Sequence, residues 1–287
     1  MVAPVKQVEV VRVLPGSLAR GIDRAATEEP LEVRLHGRPF AVIMRTPGSD
    51  RELTAGFLLS EGVLKTADDL GTIEYCTLTS SPDHPITPSP HDPIPRSLLE
   101  NVINVTLAGA SLEDLDRVLE ARRQVLANSS CGMCGRLTIE SIETSAAPLS
   151  HRRQIARSVI VGLPDRLRAR QAVFDETGGL HAAGLFTTEG ELQAAAEDVG
   201  RHNAVDKVVG RMVMMDALPL SDYLLCVSGR VSFEIVQKAL LAGIPVVAAV
   251  SAPSTLAIEL ADQAGVTLAA FVRGEGFNIY AHPERII

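Results

Sequence analysis

The sequence predicts an α/β protein, with parallel strands in its C-terminal part and a smaller mixed α+β part before it. Three observations predict this. In the last third, short apolar runs alternate with helical stretches that each close on a glycine. Near the start, "LEVRLHGRPFAVIMRT" (31–46) reads as two strands joined at His36-Gly37. Between these parts lie a proline-rich cluster and a glycine-flanked pair of cysteines, which break the regular pattern.

The elements follow in order. The opening "MVAPVKQVEVVRVLPG" lacks the charged start, long apolar run and cleavage site of a signal peptide. After the strand pair, "PGSD" turns into a helix from about Arg51 to Ser60, with Leu53, Phe57 and Leu58 on one face. Residues 80–96, "SSPDHPITPSPHDPIPR", predict a mobile loop. "VINVTL" (102–107) predicts a strand. A helix is expected over 112–127, with Ser111 as N-cap, Asp114 three residues on, and a stripe of Leu115, Val118, Leu119, Arg122 and Leu126. The cysteine pair comes next, in "SSCGMCGR" (129–136).

The last third repeats one pattern. "YLLCV" (223–227), "IPVVAAV" (244–250) and "VTLAAFV" (266–272) read as strands, and helices between them end at Gly243 and Gly265. Right-handed crossovers then place the loops after these strands along one sheet edge. The loops are Ser228-Gly229-Arg230, Ser251 to Thr255, and Arg273-Gly274. Ligands of open α/β sheets bind at that edge, and anions favour helix N-termini there. Three Ser- and Gly-rich loops, two with Arg, point to a ligand that contains phosphate. The apolar stretch 239–261 is long enough to suggest a membrane span, but Gly243, Pro245, Pro253 and Glu259 break it into helix end, strand and new helix.

The chain has 287 residues, 46% hydrophobic and 3% aromatic with no Trp, so a sizeable core must come from Ala, Val, Leu and Ile. Its net charge of -8 argues against general nucleic-acid binding, which needs a basic face, and is compatible with a local phosphate pocket. Together these features predict a soluble, cytoplasmic protein with no nucleic-acid or membrane partner. Four cysteines in such a chain suggest reactive or metal-binding thiols rather than a disulfide framework.

Three roles are open to Cys131 and Cys134. A zinc site needs four ligands, and one Cys-x-x-Cys supplies two, so histidines would have to complete it. A redox dithiol usually opens a helix whose N-terminus lowers the thiol pKa, whereas this pair follows the end of an expected helix. A cysteine on a glycine-rich loop can instead carry sulfur as a persulfide, which forms reversibly. Cys226, inside an apolar strand, and Cys76, in "IEYCTL", are expected to be buried and inert.

At this point the chain resembles the FdhD family, the formate dehydrogenase accessory sulfurtransferases. The matching segments are "ELTAGFLLSEGVL" (52–64), "SCGMCG" (130–135), "TGGLHAAGLF" (177–186), "EDVGRHNAVDKVVG" (197–210), "SGRVSFEIVQKALLAGIPVVAAVSAPSTLAIELA" (228–261) and "FVRGEGFNIYAHPERI" (271–286). The resemblance implies a sulfurtransferase. Sulfur would pass from a cysteine desulfurase to the protein, and then to the molybdenum or tungsten bis-guanine-dinucleotide pterin cofactor that formate dehydrogenase requires. It implies a persulfide on Cys131, with Cys134 as partner or alternate. It also implies cofactor binding by Phe271, Val272, Arg273, Gly274, Glu275 and Gly276; the sheet-edge loops add Ser228, Gly229, Arg230 and Ser254 as expected contacts, and the resemblance adds His202. The cofactor would be a bound substrate, no structural zinc is expected, and a homodimer is expected beside the desulfurase and apo-dehydrogenase partners. The alternative is a non-catalytic chaperone that binds and delivers the cofactor. Gly276 stands where the family often carries a basic residue, and the stretch 80–96 looks like an insertion.

The family fold resembles that of cytidine deaminases. This implies an N-terminal part over 1–127, a mobile Cys-x-x-Cys loop over 128–150, and a deaminase-like cofactor-binding domain over 151–287. Zinc deaminases need His-x-Glu and Pro-Cys-x-x-Cys. Here His181 is followed by Ala182 and Ala183, and Cys226 by Val-Ser-Gly, so direct deamination is not expected. In "VGRHNAVDKVVG", His202 and Asp206 are four apart on one helix face. The residues alone favour a capped helix with a surface ion pair, while the resemblance implies a pocket-lining role.

Overall fold

The computed structural model describes residues 2–76, 101–117, 119, 147–150 and 153–287. The proline-rich stretch 80–96, Cys131 and Cys134, and the expected boundary between 127 and 128 lie outside them.

Three sheets organise the described residues. The N-terminal segment forms an antiparallel pair of β1 (Val5–Leu14) and β2 (Ser17–Ala26), a hairpin that the sequence patterning does not predict. It turns at Pro15-Gly16, where Gly16 takes φ 80°. The second sheet has the order β4 (Arg38–Arg45), β3 (Glu29–Leu35), β6 (Val102–Leu107), β5 (Leu70–Tyr75). Only β3 and β6 pair in parallel. The expected turn at His36-Gly37 is present, with φ of 48° and 79°. Leu31, Val33 and Leu35 alternate inward along β3 and are fully buried, as a one-faced strand requires.

The third sheet has the order β12 (Gly276–Ala281), β11 (Thr267–Arg273), β10 (Val246–Ala249), β9 (Tyr223–Val227), β7 (His181–Thr187), β8 (Leu192–Asp198). The three central strands β9, β10 and β11 run parallel, as the alternating pattern predicts. The flanking strands are antiparallel, so the sheet is mixed. The turn after β11 is therefore a hairpin into β12, not a crossover to a helix.

The central strands read as continuous apolar runs because both faces are covered. Leu225 and Val227 of β9 face one core cluster, while Leu224 and Cys226 face the other. The second cluster is closed by helix α3 (Arg157–Arg168) through Ile160, Leu163 and Leu167. The first is larger and also takes in Leu31, Val33, Ile103 and Val105 of the four-stranded sheet. A single apolar core thus joins the N-terminal and C-terminal parts.

Two helices join those parts, α1 (Asp50–Ser60) and α5 (Arg201–Met214), with α2 (Gly109–Glu113), α3 and α4 (Ala172–Thr177) between them in the chain. Helix α1 packs against α5, and α6 (Phe233–Ala242) and α7 (Thr255–Ala264) follow. The contact between α1 and α5 is backbone on backbone. A Cβ on Gly56 would lie 2.0 Å from the Asp206 carbonyl oxygen, and one on Gly210 would lie 1.8 Å from that of Glu52. Only glycine fits either position. Within the described part of the expected 112–127 helix, helical structure begins earlier, at Gly109. Ser111 therefore sits inside the helix and is not its cap. Its hydroxyl donates to the Val63 carbonyl at 2.7 Å. No helix among the described residues is long and apolar enough to cross a membrane.

Candidate functional site

The C-terminal ends of the parallel strands open into a cleft of about 840 Å³. Ser228, Gly229 and Arg230 after β9, Val250 and Ser251 after β10, and Val272, Arg273 and Gly274 at the end of β11 line it. The opposite wall comes from α3, α4 and the Gly178-Gly179-Leu180 turn that leads into β7. His181, the first residue of β7, and Arg201, the first of α5, complete the lining.

Local chemistry shapes each wall. Ser228 ties its loop to β7, because its Oγ accepts from Ala182 N at 2.9 Å and its own N donates to Ala182 O at 3.0 Å. Gly229 lies against the imidazole: a Cβ there would stand 3.2 Å from His181 Nδ1 and 4.0 Å from Arg201 Cδ. Arg273 donates its Nε to Val250 O at 2.9 Å, and its guanidinium lies 5.9 Å from the Phe271 ring centroid. Arg168 pairs with Asp175 and sits over Phe174. One carboxylate, Asp165, also lines the cleft.

The balance of charge is positive in a chain whose net charge is -8. Arg201 and Arg230 have no carboxylate or hydrogen-bond partner among the described residues. The Nε of Arg201 is closed off from solvent and has no acceptor among the described residues. Burial, and then the positive charges of Arg201, His202 and Arg230, hold the His181 imidazole below its usual pKa, against a smaller opposing effect of Asp198. A neutral imidazole between guanidinium groups suits a site that receives negative charge from a ligand.

Several expected site residues lie off the cleft wall. His202 is buried, with Nε2 2.9 Å from Ser232 Oγ and 2.8 Å from the Glu234 carboxylate. It braces the start of α6 just behind the Arg230 loop. Ser254 caps α7, its Oγ accepting from Ala257 N at 3.2 Å. Phe271 is 38% exposed at φ 54°, Glu275 belongs to the hairpin turn beyond Gly274, and Gly276 opens β12 opposite Arg273. Cys131 and Cys134 are outside the described residues, so their distance from the cleft is not defined.

The motif at 197–210 is mainly a buried scaffold, not a surface helix. Asp198 is fully buried and accepts from Thr46 N, Gly200 N, Asn203 Nδ2 and Lys207 Nζ, the last at 2.7 Å. Asp206 pairs with Lys238, and Ser60 donates to it as well. His202 and Asp206 share a helix face, yet each takes its own partner from another element. Cys226 is fully buried, and burial pushes its thiol up to about 12. Cys76, expected to be buried, is half-buried at the end of β5, with its thiol also raised by burial.

The family model for the FdhD/NarQ family matches residues 26–287. A relative from Streptomyces avermitilis, named a sulfur carrier protein FdhD, is 49% identical over 286 residues, covering 97% of this chain and 94% of its own. One of the same name from Sulfurisphaera tokodaii is 42% identical and covers 99% of each chain. The fold is similar to a crystal structure from Desulfotalea psychrophila described as a formate dehydrogenase accessory protein. The TM-score is 0.74 and the identity 26%, covering 99% of this chain and 100% of that one.

Proposed function

The chain belongs to the FdhD/NarQ family, and on that premise we propose that it is a sulfur carrier, a sulfurtransferase that serves formate dehydrogenase. Cys131 receives sulfane sulfur from the persulfide of a cysteine desulfurase. Its thiolate attacks the terminal sulfur, a new S–S bond forms on Cys131, and the desulfurase cysteine leaves as a thiolate. The persulfide is more acidic than a thiol and is ready to donate at neutral pH. Release as sulfide needs two electrons. Cys134 supplies them by attacking the inner sulfur, which leaves a Cys131–Cys134 disulfide for a cellular dithiol to reduce. The acceptor is the molybdenum or tungsten bis-guanine-dinucleotide pterin cofactor, bound as substrate.

The observation that carries this reading is the convergence of Ser228 to Arg230, Ser251 and Arg273-Gly274 on one arginine-lined cleft. At about 840 Å³ it lies within the range of cofactor pockets. Its positive lining suits the phosphates of a dinucleotide. The names carried by the relatives support the sulfur-carrier role.

The test is mass spectrometry after incubation with a cysteine desulfurase and cysteine. Added sulfur is expected on the Cys131 peptide, and Cys131→Ala should abolish maturation of formate dehydrogenase. A double Cys131→Ala, Cys134→Ala variant that still supports full maturation would leave the alternative, a chaperone that binds and delivers the cofactor without sulfur chemistry.

A further inference from the structure

The β1–β2 hairpin stands apart from both core clusters, and the cleft makes no use of its outer half. Its ties to the rest of the chain lie at its base. Lys6 pairs with Glu29 and Arg24 with Glu176, Thr27 N donates to Pro4 O at 2.8 Å, and Ala26 Cβ lies 3.6 Å from where a Cβ on Gly179 would stand. Beyond this base every residue from Val11 to Arg20 is exposed. Strands of ten residues carry the turn about 30 Å outward. A two-stranded ribbon is marginally stable alone in water, so an apolar end on one calls for a partner.

Side chains are ordered along this arm. The tip, Val13-Leu14-Pro15-Gly16-Ser17-Leu18, carries no charge. Val13 and Leu18 oppose each other on one face and are 79% and 73% exposed, against 39% for Val8 nearer the base. Leu14, also exposed, points to the other face. Next behind the tip come Arg12 and Arg20, one on each strand and one on each face. Arg12 gives an N–H to Ile22 O at 3.1 Å, and Arg20 has no partner among the described residues. The carboxylates Glu9 and Asp23 stand further back. The arm thus holds four cations, Lys6, Arg12, Arg20 and Arg24, against two carboxylates, in a chain whose net charge is -8.

We propose that the hairpin tip is a peripheral membrane anchor, which dips Val13, Leu14 and Leu18 into the boundary between headgroups and acyl chains and sets Arg12 and Arg20 against anionic lipid phosphates. A protein partner packs on one face of a ribbon, whereas this tip is apolar on both, as suits a medium that surrounds it. The order apolar, basic, acidic matches the layers of an anionic bilayer from acyl chains out to water. The length of the arm holds the acidic body several Debye lengths from the surface, where its repulsion is screened. Surface binding needs no spanning helix, and there is none among the described residues. The breaks at 239–261 exclude a span, not a surface-bound arm. With three apolar and two basic side chains the attachment is weak and reversible.

The experiment is co-sedimentation of the full chain with vesicles of phosphatidylcholine, with and without phosphatidylglycerol, together with sedimentation equilibrium of the protein alone. Wild type should bind the phosphatidylglycerol vesicles and bind them less as salt is raised. A Val13→Ser, Leu18→Ser variant should bind about tenfold or more weakly, and Arg12→Gln with Arg20→Gln about ten- to thirtyfold more weakly. Both should keep the wild-type melting temperature, since these side chains are exposed. The chain has no Trp, so Leu18→Trp is a single reporter whose emission should shift to the blue when the vesicles are added. Failure of wild type to sediment with either vesicle would overturn the proposal, as would equal binding to both or an unshifted Leu18→Trp emission. So would a wild-type dimer that the Val13→Ser, Leu18→Ser change splits while vesicle binding stays level, which would give the apolar tip to a second copy of the chain.

Discussion

Lys238 Nζ lies 2.7 Å from Asp206 Oδ1, and both side chains are buried between α5 and α6. Ser60 of α1 donates to the same carboxylate oxygen at 2.8 Å. Burial raises the Asp206 pKa, while Lys238 and Ser60 act to lower it. Three helices thus meet on one carboxylate. Removing only one member leaves a buried charge without its counterion. Asp206→Ala should therefore cost about 3–5 kcal/mol of stability, read from denaturant unfolding. Replacing both partners, as in Asp206→Leu with Lys238→Met, should cost much less than the two single changes together. Additive losses would show that the pair is not coupled.

The crossing of α1 and α5 makes a second prediction. Alanine at Gly210 would set its Cβ 1.8 Å from the Glu52 carbonyl oxygen, a backbone atom that cannot swing aside. The helices would have to separate along their whole contact. Gly210→Ala should destabilise by about 3 kcal/mol or more. Its circular dichroism would retain helix, but its denaturant midpoint would fall sharply. A midpoint equal to that of the wild type would mean that the helices are not so close.

His181 makes stability depend on pH. Its folded pKa lies below the unfolded value of 6.5, chiefly through burial. In the unfolded chain the imidazole takes up a proton first. The contribution to stability is therefore fully present above about 6.5 and is lost as pH falls toward the lower folded value. Wild type should lose more stability than His181→Gln as the pH is lowered through this window. Identical pH profiles for the two proteins would sink this prediction.

The thiols should separate by reactivity. Cys226 is sealed in β9 with a pKa of about 12, so iodoacetamide at neutral pH should leave it unmodified until the protein is denatured. Cys76, half-buried and also raised, should react slowly. Cys131 and Cys134 are expected to react first if either serves as the sulfur acceptor. Peptide mapping by mass spectrometry measures the order, and rapid native labelling of Cys226 would contradict the packing of the sheet.

The sequence by itself determined the elements whose signals are local. Alternating Leu31, Val33 and Leu35 marked a one-faced strand, and Gly243 and Gly265, at φ 78° and 69°, marked helix ends. The apolar runs at 223–227, 244–250 and 266–272 mark β9, β10 and β11, and their alternation with helices implies that the loops carrying Arg230 and Arg273 share an edge. Strands β7 and β8 carry little local signal, because "HAAGLFT" and "LQAAAED" are rich in Ala and Gly, which have low strand propensity. Their small residues answer to packing: a Cβ on Gly184 would press within 3.0 Å of Leu167 in α3. The hairpin at 5–26 carries a local strand signal in the Val-rich "VEVVRVL".

What only the tertiary structure decided is which polar side chains face a ligand and which hold the fold. In "GRHNAVDK" the spacing is the same whether a residue points outward or into the core. Packing turns Arg201 into the cleft, His202 toward Ser232 and Glu234, and Asp206 and Lys207 onto buried partners. Those partners are Lys238, 32 residues downstream of Asp206, and Asp198, whose other contacts reach back to Thr46. Burial is a property of the assembled layers, and the sign and strength of each charge interaction follow from it.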